Sequence, residues 1–133
     1  MNRFFRIICA LASFGASSCG QKAYVDMTVE QFRQHILSTP DVQLVDVRTE
    51  EEYSESHLEH ALLLDINKPE FKEQAENMLR KDYPVAVYCR SGRRSAKAAT
   101  ILAKSGYQVT NLEGGIEAWR SKKMPVITPK TEQ

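Results

Sequence analysis

The sequence predicts an α/β fold with a central parallel sheet and helices on both of its faces. Short apolar segments alternate with amphipathic helical segments, and no repeat or low-complexity stretch interrupts them. The strand-like segments are apolar at nearly every position, which is typical of strands covered on both faces. Because strands alternate with helices, the chain predicts βαβ units and therefore parallel strands. A length of 133 residues fits one domain.

The first predicted elements are two strands and two capped helices. Residues 24–27 form a short edge strand, and residues 42–47 form a mostly apolar strand. Thr28 begins the helix between them with a capping box, and Thr49 with Glu52 begins a second, shorter helix in the same way. The apolar face of the first helix consists of Val29, Phe32, Ile36 and Leu37. Three carboxylates of the second helix are expected to form a solvated face: Glu51, Glu52 and Glu55.

Residues 61–66 and 84–88 are predicted as the next two strands. Pro69 suits the start of the helix that lies between them, because proline is favoured in a first helical turn. An apolar stripe repeats along that helix and should face the core. The stripe consists of Phe71, Ala75, Met78 and Leu79.

The last predicted elements are two helices and a strand. An alanine-rich helix begins at Ser95 and ends at Lys104, where Gly106 fits a C-terminal cap. Residues 107–112 form the last strand, and Gly114-Gly115 opens a helix that buries Trp119. The domain is therefore assigned to residues 24–122, and residues 123–133 are expected to form a frayed, polar tail.

The composition excludes several function classes. The chain is 42% hydrophobic and 26% charged with a formal net charge of +1, which gives no reason to expect a nucleic-acid partner. No grouping of histidine, cysteine and carboxylates has the spacing of a zinc site, so no metal or cofactor is expected. His57 is interpreted as a structural hydrogen-bonding residue rather than a general base.

The N-terminal residues have the pattern of an export signal. A basic stretch, residues 1–6, precedes a short apolar stretch, residues 7–14, and small residues follow it. This pattern predicts a signal peptide over residues 1–18, and its apolar stretch is too short to span a bilayer as a helix. Cys19 resembles the acylated cysteine of a bacterial lipoprotein, which predicts a membrane-anchored protein facing the periplasm. Simple secretion and an uncleaved anchor stay open.

The candidate active site is the loop between the strand 84–88 and the following helix. A lone cysteine, Cys89, lies where unpaired helix N–H groups and the positive end of the helix dipole converge, which favours thiolate and anions. Gly92 permits a tight turn, and Arg94 can fold back over a bound anion as a bidentate donor. We expect the sulfur at the mouth of this loop. The loop consists of Cys89, Arg90, Ser91, Gly92, Arg93, Arg94 and Ser95, whose serine hydroxyls can donate to the sulfur.

The spacing of this loop separates two chemistries. Cysteine-dependent phosphatases need five residues between cysteine and arginine, whereas only four separate Cys89 from Arg94. The tighter loop favours sulfur transfer over phosphate hydrolysis or arsenate reduction. Asp46 and Arg48 lie at the carboxyl end of the strand 42–47, at the same edge of the sheet as Cys89, and could share the crevice. We expect them to form a structural ion pair or to orient loops.

Four segments of the chain match a known family pattern. They are Leu44-Val45-Asp46-Val47-Arg48, Glu52-Tyr53 with residues 56–61, residues 87–95, and Leu112-Glu113-Gly114-Gly115-Ile116-Glu117-Ala118-Trp119. In these segments the chain resembles the rhodanese family. Two glycines that the family usually has in the second segment are replaced here by Ser56 and His60, which affects the local turn. The resemblance implies a single rhodanese-like domain in which Cys89 carries a persulfide between two half-reactions.

The sequence therefore predicts a sulfurtransferase. The expected donor is a small sulfur anion, thiosulfate or a persulfide, and the expected acceptor is a thiol, for which a thioredoxin-like protein is a candidate. A non-catalytic sulfur-carrier module is the first alternative, and an oxyanion phosphatase or arsenate reductase is the second.

Overall fold

A computed structural model describes residues 22–129. The predicted signal peptide and Cys19 lie outside the described residues. Within the described part, no helix is both long enough and apolar enough to cross a bilayer.

The described residues form a parallel five-stranded sheet with helices on both faces, which confirms the predicted α/β fold. The strand order is β1-β5-β4-β2-β3. Strand β4 is therefore central and pairs in parallel with β5 and with β2. The strands are β1 Val25–Met27, β2 Gln43–Asp46, β3 Leu62–Leu63, β4 Val85–Tyr88 and β5 Val109–Leu112. The helices are α1 Val29–Ser38, α2 Glu50–Glu55, α3 Phe71–Met78, α4 Arg93–Lys104 and α5 Gly115–Ser121.

The central strand β4 is buried at every position because both of its faces are covered. Side chains alternate along a strand, so Val85 and Val87 enter one core and Ala86 and Tyr88 enter the other. The first core includes Cys89 and the buried faces of α3 and α4. The second core packs α1 and α5 against the sheet.

The two predicted capping boxes are confirmed. Thr28 accepts from the Gln31 N–H at 3.2 Å while the Gln31 side chain accepts from the Thr28 N–H at 3.0 Å. Thr49 and Glu52 make the same reciprocal pair. Each box satisfies N–H groups that a helix N-terminus leaves without an internal partner.

Two expected core residues and the length of the third strand differ from the sequence expectations. Leu37 and Met78 do not join the core, since they are 66% and 51% exposed. The strand predicted over residues 61–66 has only the two ladder residues of β3. The residues after it remain attached, because the Leu64 N–H donates to Asp46 O and the Ile66 N–H to Val47 O. This edge segment therefore follows β2 without continuing the regular ladder.

The C-terminal segment is not frayed where it is described. Trp119 Nε1 donates to the carbonyl of Pro125 at 2.8 Å. Ile127 and His57 exchange two backbone hydrogen bonds, at 2.7 and 3.0 Å. Met124 and Val126 pack against the second core. Residues 124–127 thus form a strap across the end of α5.

The two positions at which the sequence departs from the family glycines behave differently. Ser56 adopts an extended conformation with φ of −171°, which any residue adopts, and its hydroxyl accepts from Arg120. His60 has φ of 72°, in the left-handed region that favours glycine. The departure at His60 therefore introduces backbone strain, whereas the departure at Ser56 does not.

Candidate active site

The cysteine loop joins the carboxyl end of β4 directly to the N-terminus of α4. Gly92 caps α4 with φ of 103°, and helical geometry begins at Arg93. The predicted helix start at Ser95 is therefore wrong by two residues, because the left-handed Gly92 reverses the chain at once. Arg93 and Arg94 consequently lie in the first turn of the helix and not in the loop before it.

The sulfur of Cys89 accepts two hydrogen bonds from this turn. The Gly92 N–H donates to Sγ at 3.1 Å, and the Ser95 hydroxyl donates to it at 3.3 Å. Ser95 thus takes the role expected of both loop serines, whereas the Ser91 side chain is exposed. These donors, at the positive end of a 12-residue helix, stabilise negative charge on sulfur.

The sulfur lies below the surface rather than at the mouth of the loop. Cys89 is only 1% exposed and belongs to the first hydrophobic core. This differs from the expectation of an open thiol. Arg90, Ser91 and Gly92, which follow it, are exposed or partly exposed, and the Gly92 N–H contacts the sulfur. The sulfur is therefore buried next to a turn that solvent partly reaches.

The N-terminus of α5 holds the loop from behind. The Ile116 N–H donates to Cys89 O at 2.9 Å, and the Glu117 N–H donates to Arg90 O at 3.1 Å. A trans peptide directs its N–H opposite to its C=O. With both carbonyls turned to α5, the N–H groups of Arg90 and Ser91 point away from that helix. The loop is thus oriented by free N–H groups at a neighbouring helix start.

This contact with α5 requires a glycine at position 115. Gly115 has φ of 61°, and a Cβ there would lie 2.4 Å from Arg90 O and 2.6 Å from Cys89 O. Sequence reasoning used the Gly114-Gly115 pair only to open a helix. Two adjacent glycines also indicate that another backbone segment can approach closely. The sequence does not show which segment this is, because the cysteine loop lies far from Gly114 and Gly115 in the chain.

Two of the three loop arginines are held by carboxylates. Arg90 pairs with Glu117 at 3.1 Å on the surface. Arg94 does not fold back over the sulfur as expected; its two terminal nitrogens donate to the two carboxylate oxygens of Glu52, both at 2.8 Å. Glu52 is therefore not part of a solvated face. Arg93 is exposed and has no ion pair among residues 22–129.

The ion pair between Glu52 and Arg94 shifts the pKa values of both side chains. The Arg94 guanidinium, helped by the cap at Thr49, lowers the pKa of Glu52 to about 2 against the opposing effect of burial. Glu52 in turn raises the pKa of Arg94, and the charge of Cys89 raises it further. Arg94 is thus an electrostatic neighbour of the sulfur while its hydrogen bonds are directed to Glu52.

Asp46 and Arg48 form a buried structural pair, as expected, but they do not share an open crevice. Both are almost fully buried, and the Arg48 guanidinium donates to Asp46 Oδ2 at 2.7 Å and to Ser56 O at 2.7 Å. The Tyr88 hydroxyl donates to Asp46 Oδ2 at 2.7 Å and accepts from the Leu58 N–H at 3.0 Å. The network ties the ends of β2 and β4 to residues 56–58.

His57 has the structural surroundings that the sequence interpretation gave it. Its ring stacks on Tyr53 with centroids 3.8 Å apart, and Nδ1 lies 2.9 Å from Tyr53 O. No group of three or more His, Cys, Asp and Glu side chains in the described chain could hold a metal ion.

Comparison with known proteins identifies the family. The model of the rhodanese-like domain matches residues 28–122. A sulfurtransferase of Allochromatium vinosum is 37% identical over 102 residues, which cover 76% of this chain and 92% of that protein. Thiosulfate sulfurtransferase 18 of Arabidopsis thaliana is 34% identical over 127 residues, covering 86% of this chain and 93% of that protein.

Solved structures agree with the sequence comparisons. The crystal structure of a rhodanese-related protein from Thermoplasma volcanium superimposes with a TM-score of 0.69 at 27% identity, covering 78% of this chain and 98% of that structure. The family model spans more than half of the chain, and the relatives match over most of their own length. This protein is therefore a member of the rhodanese family.

Proposed function

We propose that this protein is a sulfurtransferase that moves a sulfane sulfur from a small anionic donor to a thiol acceptor through a persulfide on Cys89. The observation that carries the proposal is the convergence of the Gly92 N–H and the Ser95 hydroxyl on Cys89 Sγ. A thiolate held by such donors is a nucleophile for soft electrophiles, among which sulfur is preferred. The names of the sulfurtransferase relatives support the same reaction class.

The proposed reaction has two half-reactions that balance. With thiosulfate, the Cys89 thiolate attacks the outer sulfur, the S–S bond of the donor breaks, and sulfite leaves with its electron pair. Cys89 then carries a persulfide anion, Cys89–S–S⁻. In the second half-reaction an acceptor thiolate attacks the terminal sulfur, takes it as a new persulfide, and returns Cys89 to the thiolate. No external oxidant or reductant enters either step.

The loop suits the persulfide intermediate because its terminal sulfur extends from Sγ with negative charge. Backbone N–H groups fixed in a tight turn stabilise such a charge without rearranging. The N–H groups of Arg90 and Ser91 are the candidates for this contact, since α5 holds their peptide carbonyls on the opposite side. Because Cys89 is only 1% exposed, the loop must open before the donor can reach the sulfur.

The N-terminal residues support a second part of the proposal, on location. The export pattern of residues 1–18 and the placement of Cys19 favour a lipid-anchored protein that faces the periplasm. A reduced thioredoxin-like protein is the candidate acceptor in that compartment, because it supplies a thiolate.

A turnover assay with thiosulfate as donor and cyanide as acceptor tests the proposed function. The wild-type protein should produce thiocyanate, and the C89S variant should lose this activity to background. The S54A variant, altered at an exposed position on α2, should keep the wild-type rate. Thiocyanate production by C89S at the wild-type rate would reject the role of Cys89. Sulfur loading without turnover would instead indicate a carrier module.

A further inference from the structure

The ion pair between Glu52 and Arg94 is the feature of the active site that the proposed reaction does not use. Glu52 lies on α2, and Arg94 lies in the first turn of α4, one residue before the serine that donates to Cys89 Sγ. Both terminal nitrogens of Arg94 are bound, one to each oxygen of Glu52, at 2.8 Å. Both side chains are only partly exposed, Arg94 at 30% and Glu52 at 26%.

This geometry directs the paired terminal N–H groups of the Arg94 guanidinium to Glu52 and not to an oxyanion in the loop. An arginine recognises a sulfonate, sulfate or phosphate through two parallel N–H···O bonds, and Glu52 already accepts such a pair from Arg94. An oxyanion that took the guanidinium would leave the Glu52 carboxylate without its partner and beside a second negative charge. Neighbouring like charges repel, so the transfer of Arg94 from Glu52 to a bound oxyanion is unfavourable.

The other loop arginines do not replace Arg94. Arg90 is paired with Glu117 on the surface. Arg93 is exposed, where it can attract anions in general but is screened by salt and water. Backbone N–H groups and the Ser95 hydroxyl are the donors that remain at the sulfur itself, and these suit a single sulfur-centred charge.

We propose that Glu52 is a specificity residue that makes this active site prefer persulfide donors over oxyanion donors such as thiosulfate. The inference rests on the proposed function and names the donor class of the same site. In the preferred reaction the Cys89 thiolate attacks the terminal sulfur of R–S–S⁻, the donor S–S bond breaks, and R–S⁻ leaves with its electron pair. Cys89–S–S⁻ forms as before, and no sulfonate has to be held.

The E52Q variant tests the inference because glutamine keeps the helix cap and loses the charge. Gln31 already fills the equivalent position in the capping box of Thr28. The matched control is E51Q, which removes the same charge from an exposed neighbour on α2 that has no bond to Arg94. Circular dichroism and thermal unfolding establish that both variants fold.

Steady-state kinetics with thiosulfate and with glutathione persulfide give the readout. In E52Q, the KM for thiosulfate and the inhibition constant of sulfate should each fall about tenfold, the scale of one charge-assisted contact. The KM for glutathione persulfide should change less than about twofold. E51Q should match the wild type in all three measurements. The double variant E52Q/R94Q should return the thiosulfate KM to the wild-type range or above it.

Several outcomes would overturn the inference. A thiosulfate KM that E52Q leaves unchanged or raises would show that the pair only positions Arg94. If the lower thiosulfate KM of E52Q persisted in E52Q/R94Q, the guanidinium of Arg94 would not be the group that binds the oxyanion. The wild type offers a test that needs no variant, since its kcat/KM should be at least about tenfold higher for the persulfide, and equal values would reject the preference. If the wild type took sulfur from neither donor, the proposed function itself would fail.

Discussion

Two glycines with left-handed backbone conformations shape the surroundings of Cys89. Gly92, with φ of 103°, turns the chain so that its own N–H reaches the sulfur at 3.1 Å. Gly115, with φ of 61°, lets the start of α5 approach the carbonyls of Cys89 and Arg90. Both positions need a residue that adopts positive φ at little cost and that lacks a Cβ.

We predict that G115A lowers both stability and activity. The added methyl group would lie 2.4 Å from Arg90 O, so the loop or α5 must shift, and the strained φ adds to the cost. The expected loss is about 2 to 4 kcal/mol of unfolding free energy. Sulfur transfer should fall at least about tenfold, because the loop N–H groups move with their peptides. Urea denaturation and kcat/KM measure the two effects.

The G106A variant is the matched control for this prediction. Gly106 also has a positive φ, of 101°, but a Cβ there would contact only the Lys81 side chain at 3.8 Å. It should cost about 1 kcal/mol of stability and leave kcat/KM unchanged. Equal losses of activity in G106A and G115A would contradict the specific role of the α5 contact.

At the residue scale, the sequence could identify the nucleophile but not its electrostatic partners. Cys89 and Ser95 are predictable because they are close in sequence, between a buried strand and the helix that follows it. The pairing of Arg94 with Glu52 is not, because it depends on the docking of α2 beside α4. The fork of an arginine binds a carboxylate and an oxyanion by the same geometry, so residue type alone does not decide between them.

Among the elements, α2 and α4 are joined at their N-termini by Glu52. The Glu52 carboxylate accepts from the Thr49 N–H in the capping box of α2, and it also accepts from the Arg94 guanidinium of α4. The pKa of Glu52 is lowered from 4.5 to about 2. A group whose pKa is lower in the folded state stabilises the fold when it is ionised and loses that contribution as it is protonated.

We predict that the Glu52–Arg94 pair makes stability depend on pH between about 4.5 and 2. Above this range both states of the protein have ionised Glu52, and the pair contributes fully. As the pH falls through it, the unfolded state takes up the proton first, so the wild type loses about 1 to 2 kcal/mol relative to E52Q. Arg94 stays charged throughout because a guanidinium loses its proton only far above this range.

Urea denaturation of wild type, E52Q and E51Q at several pH values measures this difference. The wild type and E51Q should lose stability in parallel over the acidic range, while E52Q should lose less. If the difference between wild type and E52Q stayed constant from pH 7 to pH 2.5, the ion pair would not be the source of the pH dependence.

The order and type of the elements were predictable, and their ends less so. Apolar strands, capping boxes and Gly106 are local signals, and the structure has each of them. The end of β3 depends on how far the edge segment stays in register with β2. The start of α4 depends on the left-handed conformation of Gly92, which a sequence pattern permits but does not dictate.

On the scale of the whole molecule, the sheet separates two hydrophobic cores, and the C-terminal strap closes the second. Trp119 is 4% exposed and packs edge-on against Phe32, with ring centroids 6.4 Å apart. The strap supplies the acceptor for its indole N–H at Pro125. The prolines and polar residues of the tail predict an irregular segment, and no periodicity reveals that its backbone binds Trp119 and His57.

We predict that truncation after Lys123 destabilises the domain by about 2 to 4 kcal/mol. The truncation leaves the indole N–H without its acceptor and removes the apolar packing of Met124 and Val126. The emission of Trp119, the single tryptophan of the chain, should shift to longer wavelength as water reaches it. Truncation after Pro129 keeps these contacts and should change neither quantity. An unchanged emission after the shorter truncation would contradict the strap.

The mass of the intact protein after incubation with a sulfur donor shows whether Cys89 forms a persulfide. Treatment with thiosulfate or glutathione persulfide should add the mass of one sulfur atom, localised to Cys89 by peptide mapping and removed by cyanide or a thiol. The C89S protein should gain nothing. An unmodified wild-type Cys89 after treatment with both donors, or a sulfur atom found on another residue, would rule out Cys89 as the sulfur carrier.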